Sequence, residues 1–220
     1  MTISEIYQKY RILPGLQDHQ LQVTAVAQYL CDQTNISVKV ETDNIVKACA
    51  IHDMGNILKF NFSLMPERYE PEGVAYWLSI RDEYQKRYGQ DEHTATVTIA
   101  RELGMSDRVI ELIDGISFSN AVTVCNSEDF TQKICTYADK RVAPTGVVSL
   151  AERLEEGRKR YAVNKPNVAA KYYANDYENL VKHIEKIEED IFLQMGIVPE
   201  SINNEAIASY INVLKSTELN

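Results

Sequence analysis

The residues of this chain that could do chemistry fall into a few short stretches. AIHDMGN, residues 50–56, sets His52 beside Asp53 inside an apolar run with helical character. Burying two ionisable groups side by side costs free energy unless something binds them. Imidazole and carboxylate together suit Mn, Fe, Co, Ni or Zn. Adjacent helical residues point about 100° apart, so this pair could flank an ion at a helix end.

Two ligands do not hold an ion, so others must come from elsewhere in the chain. His19, in LQDHQLQVTAVAQYL, and Asp139, in KICTYADKRVAP, are the candidates. Asp139 has apolar neighbours in a predicted helix, where an aspartate is unfavourable by propensity and by desolvation. A bound metal would account for this aspartate, and so would a salt bridge.

Other polar residues near these stretches have less specific interpretations. His93, in DEHTATVTIARELGM, begins a predicted helix beside an acidic residue, and His183 is interpreted as a surface residue. Three cations, Lys59, Lys140 and Arg141, are candidates for contact with a phosphate group. Each is equally well explained as an ordinary exposed charge.

The order His, His-Asp, Asp resembles the HD-domain metal-dependent phosphohydrolases. The matching stretches are HQLQVTAVAQYL, ACAIHDMGNILKF and ICTYADKRV, and the resemblance spans roughly residues 10–160. It implies an all-α, HD-domain helical bundle that holds one or two divalent metal ions. By position the ligands would be His19, His52, Asp53 and Asp139. Such an ion lowers the pKa of bound water and polarises a phosphoryl oxygen.

The chain departs from that family at two points. His93 resembles the first extra histidine of the two-metal members, but the following region, VIELIDGISFSNAV, has no histidine. Three outcomes stay open: one ion with His93 contacting substrate, two ions completed by water or Asp114, or a partly degenerate site. We take the first, with Asp53 and His93 as the catalytic residues. The water-orienting glutamate of some one-metal members is absent, so no general base is assigned.

The leading expectation is therefore a metal-dependent phosphohydrolase acting on a small phosphorylated substrate, with a nucleotide as the main candidate. Phosphomonoesters and phosphodiesters are not separated by the sequence. The alternative is a catalytically weak or inactive HD-fold protein that binds metal or nucleotide as a sensor or partner-binding module. Five aromatic residues lie between the His-Asp pair and His93, and their helical spacing indicates core residues rather than a surface on which a nucleobase stacks. They are Tyr69, Tyr76, Trp77, Tyr84 and Tyr88.

Apolar residues recur along the chain at the spacing of an α-helix. No stretch in which apolar and polar residues alternate is long enough to predict a β-sheet. Thr2 with Glu5 forms a capping box, and Asp91 and Ser106 are further N-caps. We expect one helix to open at 42–43 and to run through the His-Asp pair, and others to cover 127–141 and 176–195. A final helix is predicted to open at Pro199.

The composition limits the function classes. The chain has 220 residues and a formal net charge of −9, which argues against a nucleic-acid partner bound through bulk positive charge. It has neither a signal-peptide pattern at its start nor about 18 uninterrupted apolar residues, so we expect a cytoplasmic protein with no membrane partner. Its four cysteines are expected to be reduced thiols.

Two segments are predicted within one compact unit. Residues 1–165 form the HD-type helical domain, and residues 166–220 form a C-terminal helical extension packed on the same domain. The extension could act as a lid, as the contact of a homodimer, or as additional packing.

Overall fold

A computed structural model describes residues 1–64, 66–164 and 170–219. In these ranges the chain is mostly helical, which confirms the all-α prediction. The α-helices are α1 (Ile3–Lys9), α2 (Pro14–Gln33), α3 (Thr42–Ile51), α4 (Val74–Tyr88), α5 (Glu92–Glu102), α6 (Asp107–Ile116), α7 (Ala121–Cys125), α8 (Phe130–Asp139), α9 (Leu150–Asn164), α10 (Ala170–Phe192) and α11 (Asn204–Leu214). Short 3-10 turns cover Asn56–Lys59, Pro66–Tyr69, Phe118–Asn120 and Pro199–Ser201.

Several helices begin at a residue whose side chain accepts a hydrogen bond from an unpaired backbone amide of the first turn. Thr2 and Glu5 make the predicted capping box of α1. The side chains of Asp91 and Ser106 accept the amides of Thr94 and Val109, as an N-cap residue does. These three predicted starts are confirmed, because each rests on contacts within one turn of helix.

Helix α2 lies at the centre of the fold. It packs against α3, α8 and α11, and most of its side chains between Leu16 and Leu30 are buried. Helix α6 packs against both α3 and α8. The helices that carry the three candidate ligand stretches therefore meet around one apolar core, which extends through the described chain.

The last two helices pack on that same core. Helix α10 contacts α7, α8 and α9, and α11 lies along α2. Ile184, Ile187 and Ile191 of α10 are fully buried. The predicted boundary between residues 165 and 166 lies outside the described residues.

The helix predicted over 176–195 is observed as α10, Ala170–Phe192. Four further expected elements differ from the structure. Helix α3 ends at Ile51, before the His-Asp pair, and α8 covers Phe130–Asp139 rather than 127–141. A two-residue hairpin, β1 (Val142–Ala143) with β2 (Gly146–Val147), follows α8, although no sheet was expected. The last helix begins after Asn203, whose side chain accepts the amide of Ala206, and Pro199 opens only a 3-10 turn. In each case a side-chain hydrogen bond or a tight turn decides the boundary.

Two further expectations concern side chains. Trp77, Tyr84 and Tyr88 are buried in the core, as their spacing suggested, whereas Tyr69 is only partly buried and Tyr76 is exposed, so for Tyr76 the expectation was wrong. All four cysteines, each within the described ranges, are free thiols.

No described helix is both long enough and apolar enough to cross a bilayer.

Candidate metal centre

Four polar side chains from three distant stretches meet at one point. His19 lies on α2, His52 and Asp53 follow α3, and Asp139 is the last residue of α8. The Nε2 atom of His19 lies 3.1 Å from Asp139 Oδ1 and 3.8 Å from Asp53 Oδ2. The Nε2 atom of His52 lies 3.4 Å from Asp139 Oδ1 and 3.7 Å from Asp53 Oδ2. The structure thus brings together all four residues that the resemblance named.

Three of these residues offer ligand atoms in a compact group. One ligand atom each from His19, His52 and Asp53 lie within 4.8 Å of one another. Asp139 is not a member of this compact group, but its Oδ1 atom lies near both histidine nitrogens. With Asp139 beside them, the four residues supply two imidazoles and two carboxylates.

The chain leaves the helix at His52 because its backbone amides find partners outside α3. The amide of Asp53 donates to Gln20 Oε1 at 3.1 Å, and the amide of Gly55 donates to Thr96 Oγ1 at 2.9 Å. These bonds hold the turn between α2 and α5. They explain why the helix does not continue through the His-Asp pair.

Gly55 is required by the close approach of this turn to α5. A Cβ atom at Gly55 would lie 2.1 Å from the carbonyl oxygen of Glu92 and 2.8 Å from the Cβ of Ala95. Real Cβ atoms do not come so close to backbone. The glycine after the His-Asp pair therefore sets the distance between the candidate site and the start of α5.

The ring of His52 is held by a backbone bond. Its Nδ1 atom lies 2.7 Å from the carbonyl oxygen of Cys49. A carbonyl only accepts, so Nδ1 donates and Nε2 faces the carboxylates. His52 is buried, and its Nε2 has no hydrogen-bond partner among the described residues, because the approach to Asp139 lacks hydrogen-bond geometry. A buried nitrogen without a hydrogen bond, facing two carboxylates at 3.4 and 3.7 Å, leaves room for a further partner between them.

The electrostatics of the cluster favour an added positive charge. Burial lowers the pKa of His52, but the carboxylates of Asp53 and Asp139 outweigh it and raise that pKa to about 9. Burial raises the pKa of Asp53, yet His52, Lys59 and His19 together bring it below its ordinary value. For Asp139, burial is outweighed by Lys140 and the two histidines, and its pKa falls well below the ordinary value. The carboxylates thus stay ionised and attract either a proton on imidazole or a cation.

The donor set fits a divalent transition ion. Imidazole nitrogen and carboxylate oxygen are the ligands that Mn, Fe, Co, Ni and Zn accept. The His52 nitrogen that would bind the ion makes no hydrogen bond, and the other ring nitrogen donates to a backbone carbonyl, as in most metal-binding histidines.

The three candidate phosphate contacts differ in their surroundings. The Lys59 side chain is half exposed, and its Nζ lies 3.9 Å from Glu92 Oε1. Lys140 is buried, and its Nζ contacts Asp139 Oδ2 and donates to the Ile116 carbonyl oxygen at 3.1 Å. Of the three, Lys59 is therefore the one placed where a substrate could reach it.

Arg141 is buried at 2% exposure. Its guanidinium donates to the carbonyl oxygens of Val148, Pro199 and Ile202 and to the hydroxyl of Tyr137. These bonds connect the end of α8 to the residue that follows β2 and to the turn before α11. They give Arg141 a structural part in place of the predicted contact with substrate, and the function proposed below does not use it.

His93 is near the start of α5, where it pairs with Asp114 of α6. Its Nε2 lies 2.8 Å from Asp114 Oδ1, and both side chains are about half exposed. Among the described residues, no hydrogen bond or ion pair joins this pair to the four-residue cluster.

Two contributors to the centre were missed by the sequence reasoning. Gln20 is fully buried and holds the backbone of Asp53, and the Cys49 carbonyl holds His52. Gln20 could have been noticed, because it falls four residues after Leu16 and three before Val23, on the buried face of α2. A backbone carbonyl leaves no such signal in the sequence.

Comparison of the chain with models of known protein families, with characterised proteins and with solved structures finds no match.

Proposed function

We propose that this protein is an HD-type metal-dependent phosphohydrolase that acts on a small phosphorylated substrate, with a nucleotide monoester or diester as the main candidate. The observation that carries the proposal is the meeting of two imidazoles and two carboxylates around the Nε2 of His52, which makes no hydrogen bond. His19, His52, Asp53 and Asp139 would hold the ion. When bound, a divalent ion lowers the pKa of water and polarises a phosphoryl oxygen.

The protein's own residues prepare the site for such a substrate. Gln20 holds the backbone of Asp53, and Cys49 fixes the nitrogen that His52 presents. The half-exposed Lys59 acts electrostatically on Asp53 and can provide a point contact for a phosphate oxygen. The net charge of −9 would repel an anionic substrate elsewhere on the surface, so this local cation has a defined use.

One observation favours the alternative of a non-catalytic metal or nucleotide sensor. The ammonium of Lys140 lies against Asp139 Oδ2, where it competes with a cation for that carboxylate. A site weakened in this way would bind an ion or nucleotide without turnover.

An activity screen separates the two functions. Chelator-stripped protein is loaded with Mn, Co or Ni and tested on p-nitrophenyl phosphate, bis-p-nitrophenyl phosphate and nucleoside monophosphates. The enzyme proposal predicts hydrolysis by the wild type and none by Asp53→Ala, with an unchanged helical circular dichroism spectrum. Binding of metal and nucleotide without hydrolysis of any substrate would replace the enzyme with the sensor.

A further inference from the structure

A histidine–aspartate pair joins α5 to α6. The Nε2 atom of His93 lies 2.8 Å from Asp114 Oδ1, and each side chain is 51% exposed. An ionised carboxylate can only accept a hydrogen bond, so Nε2 of His93 donates it. Asp114 thereby sets the orientation of the ring and leaves Nδ1 as the nitrogen available to a bound molecule.

The α5 end of the pair is tied to the candidate metal centre. His93 lies one helical turn before Thr96, and residues three apart lie on neighbouring positions of one helix face. The Thr96 hydroxyl accepts the amide of Gly55, two residues after Asp53. The absence of space for a Cβ at Gly55 shows how closely this part of α5 approaches the turn.

The α6 end of the pair is tied to the other aspartate. Asp114 lies two residues before Ile116, whose carbonyl oxygen accepts a hydrogen bond from Lys140. The same ammonium contacts Asp139. The pair therefore spans the two helix ends that border the cluster, one beside Asp53 and one beside Asp139.

A cation lies beside the start of α5. Lys59 Nζ is 3.9 Å from the carboxylate of Glu92, the neighbour of His93 in the chain. Its charge also acts on Asp53. A phosphate group drawn by Lys59 toward the cluster would thus lie near the exposed ring of His93.

We propose that His93, oriented by Asp114, gives a proton to the leaving-group oxygen of the phosphoryl substrate; this rests on the proposed function. The oxygen of a water molecule forms a bond to phosphorus, and the bond from phosphorus to the leaving oxygen breaks. That oxygen keeps the electron pair and takes the proton from the Nδ1 of the His93 imidazolium. The proton of the attacking water passes to solvent, and solvent reprotonates His93. Asp114 is a positioning residue.

Substrates that differ in their need for a proton test this role. A nitrophenolate leaves without protonation, whereas the sugar alkoxide of a nucleoside monophosphate does not. General acid catalysis contributes roughly 10²–10⁴-fold, so His93→Gln should lower kcat about 100-fold on a nucleoside monophosphate and less than about fivefold on p-nitrophenyl phosphate. Asp114→Asn should lower kcat about tenfold on the nucleotide alone, since orientation is weakened but the imidazole remains.

The double variant and a matched histidine provide the controls. Residues that act as a unit are non-additive, so His93→Gln with Asp114→Asn should be no slower than His93→Gln alone. His183, on α10, bonds the carbonyl of Asn179 within its own helix, and His183→Gln should change neither substrate. Independently of activity, ¹⁵N shifts of the His93 ring should show a protonated Nε2 in the metal-free wild type and a change in Asp114→Asn.

Each contrary result has a distinct meaning. Equal losses on both substrates would overturn the proton-donor role of His93. A loss of bound metal in His93→Gln would make His93 a ligand and would also overturn it. A wild type that holds its ion yet hydrolyses neither substrate would remove the proposed function itself, and the proton-donor role with it.

Discussion

The Nδ1 atom of His52 donates a hydrogen bond to the carbonyl oxygen of Cys49 at 2.7 Å, and Nε2 therefore faces Asp53 and Asp139. Cys49 lies on the last full turn of α3, so the helix itself aims the ring of a residue that follows it. The same turn is held from α2 by Gln20 and from α5 by Thr96. Three helices thus fix the position of two neighbouring side chains.

Gln20→Leu should weaken metal binding without unfolding the protein. The change removes the acceptor of the Asp53 amide, and loss of such supporting contacts lowers metal affinity roughly 10- to 100-fold. Isothermal titration of chelator-stripped protein with Mn²⁺ measures the effect. Thr34→Val is the control, since it removes a hydrogen bond to Leu30 at the far end of the same helix and should leave affinity unchanged. Unaltered affinity in Gln20→Leu would show that Asp53 needs no such support.

Gly55→Ala should destabilise the fold. The new methyl group would meet the backbone of Glu92, and forcing atoms into packed space costs about 1–3 kcal/mol. Urea unfolding should show a loss near the upper end of that range. The control is Gly15→Ala in α2, where the methyl group meets open space and a gain of up to about 1 kcal/mol is expected. Similar stability changes in the two variants would mean that the turn can move away from α5.

Arg141→Met should reduce the free energy of unfolding by about 3 kcal/mol or more, because it removes the donor from several partly or fully buried carbonyl oxygens. Lys59→Met, at a half-exposed site, should stay within about 0.5 kcal/mol of the wild type. In the activity assay the variant with the larger effect is expected to be Lys59→Met, which should raise KM for the anionic substrate. A stable Arg141→Met variant with a raised KM would restore Arg141 as a substrate contact.

Arg108 should make stability depend on pH. Its guanidinium bonds Glu41, Glu111 and Asp129, which joins the start of α3 to α6 and to the N-cap of α8. Hydrogen bonds from Asn44 and Arg108 lower the pKa of Glu41 below its ordinary value of 4.5. A carboxyl whose pKa is lower in the folded state stabilises the fold above its ordinary pKa and loses that contribution as pH falls through the folded value.

Arg108→Gln is therefore expected to reduce the free energy of unfolding by about 1 kcal/mol at pH 7. The difference from the wild type should narrow below pH 4.5, as Glu41 takes up a proton. Urea unfolding between pH 3 and pH 7 measures both curves. A difference that stays constant over this range would exclude the ion pair as its source.

Local signals in the sequence predicted much of the fold. Thr2, Asp91 and Ser106 predict helix starts correctly, because the side chain of each accepts a hydrogen bond from a backbone amide in the first turn that follows it. The end of α3 was predicted too late, since it depends on Gln20 and Thr96, which lie 33 and 41 residues from their partners. Hydrophobic period carries no information about such bonds.

Residue types made His19 and Asp139 candidate partners of the His-Asp pair, but only the family resemblance joined all four residues in one site. His19 and Asp139 are 120 residues apart, and nothing in their local sequences says that they meet. The burial of Lys140 and Arg141 could not be predicted either. These two neighbouring residues donate to the carbonyl oxygens of Ile116 and Ile202, which lie far away in the sequence. Burial of a cation depends on the tertiary partners that surround it.

Metal analysis of the wild type and of Asp53→Ala tests the central claim most directly. Protein purified without chelator, or stripped and titrated with Mn²⁺, Co²⁺ or Zn²⁺, is measured for bound ion per chain together with its circular dichroism. The site predicts about one ion per wild-type chain and none in a folded Asp53→Ala variant, since a carboxylate ligand is lost. A wild type that binds no ion, or a variant that binds as tightly as the wild type, would contradict the account.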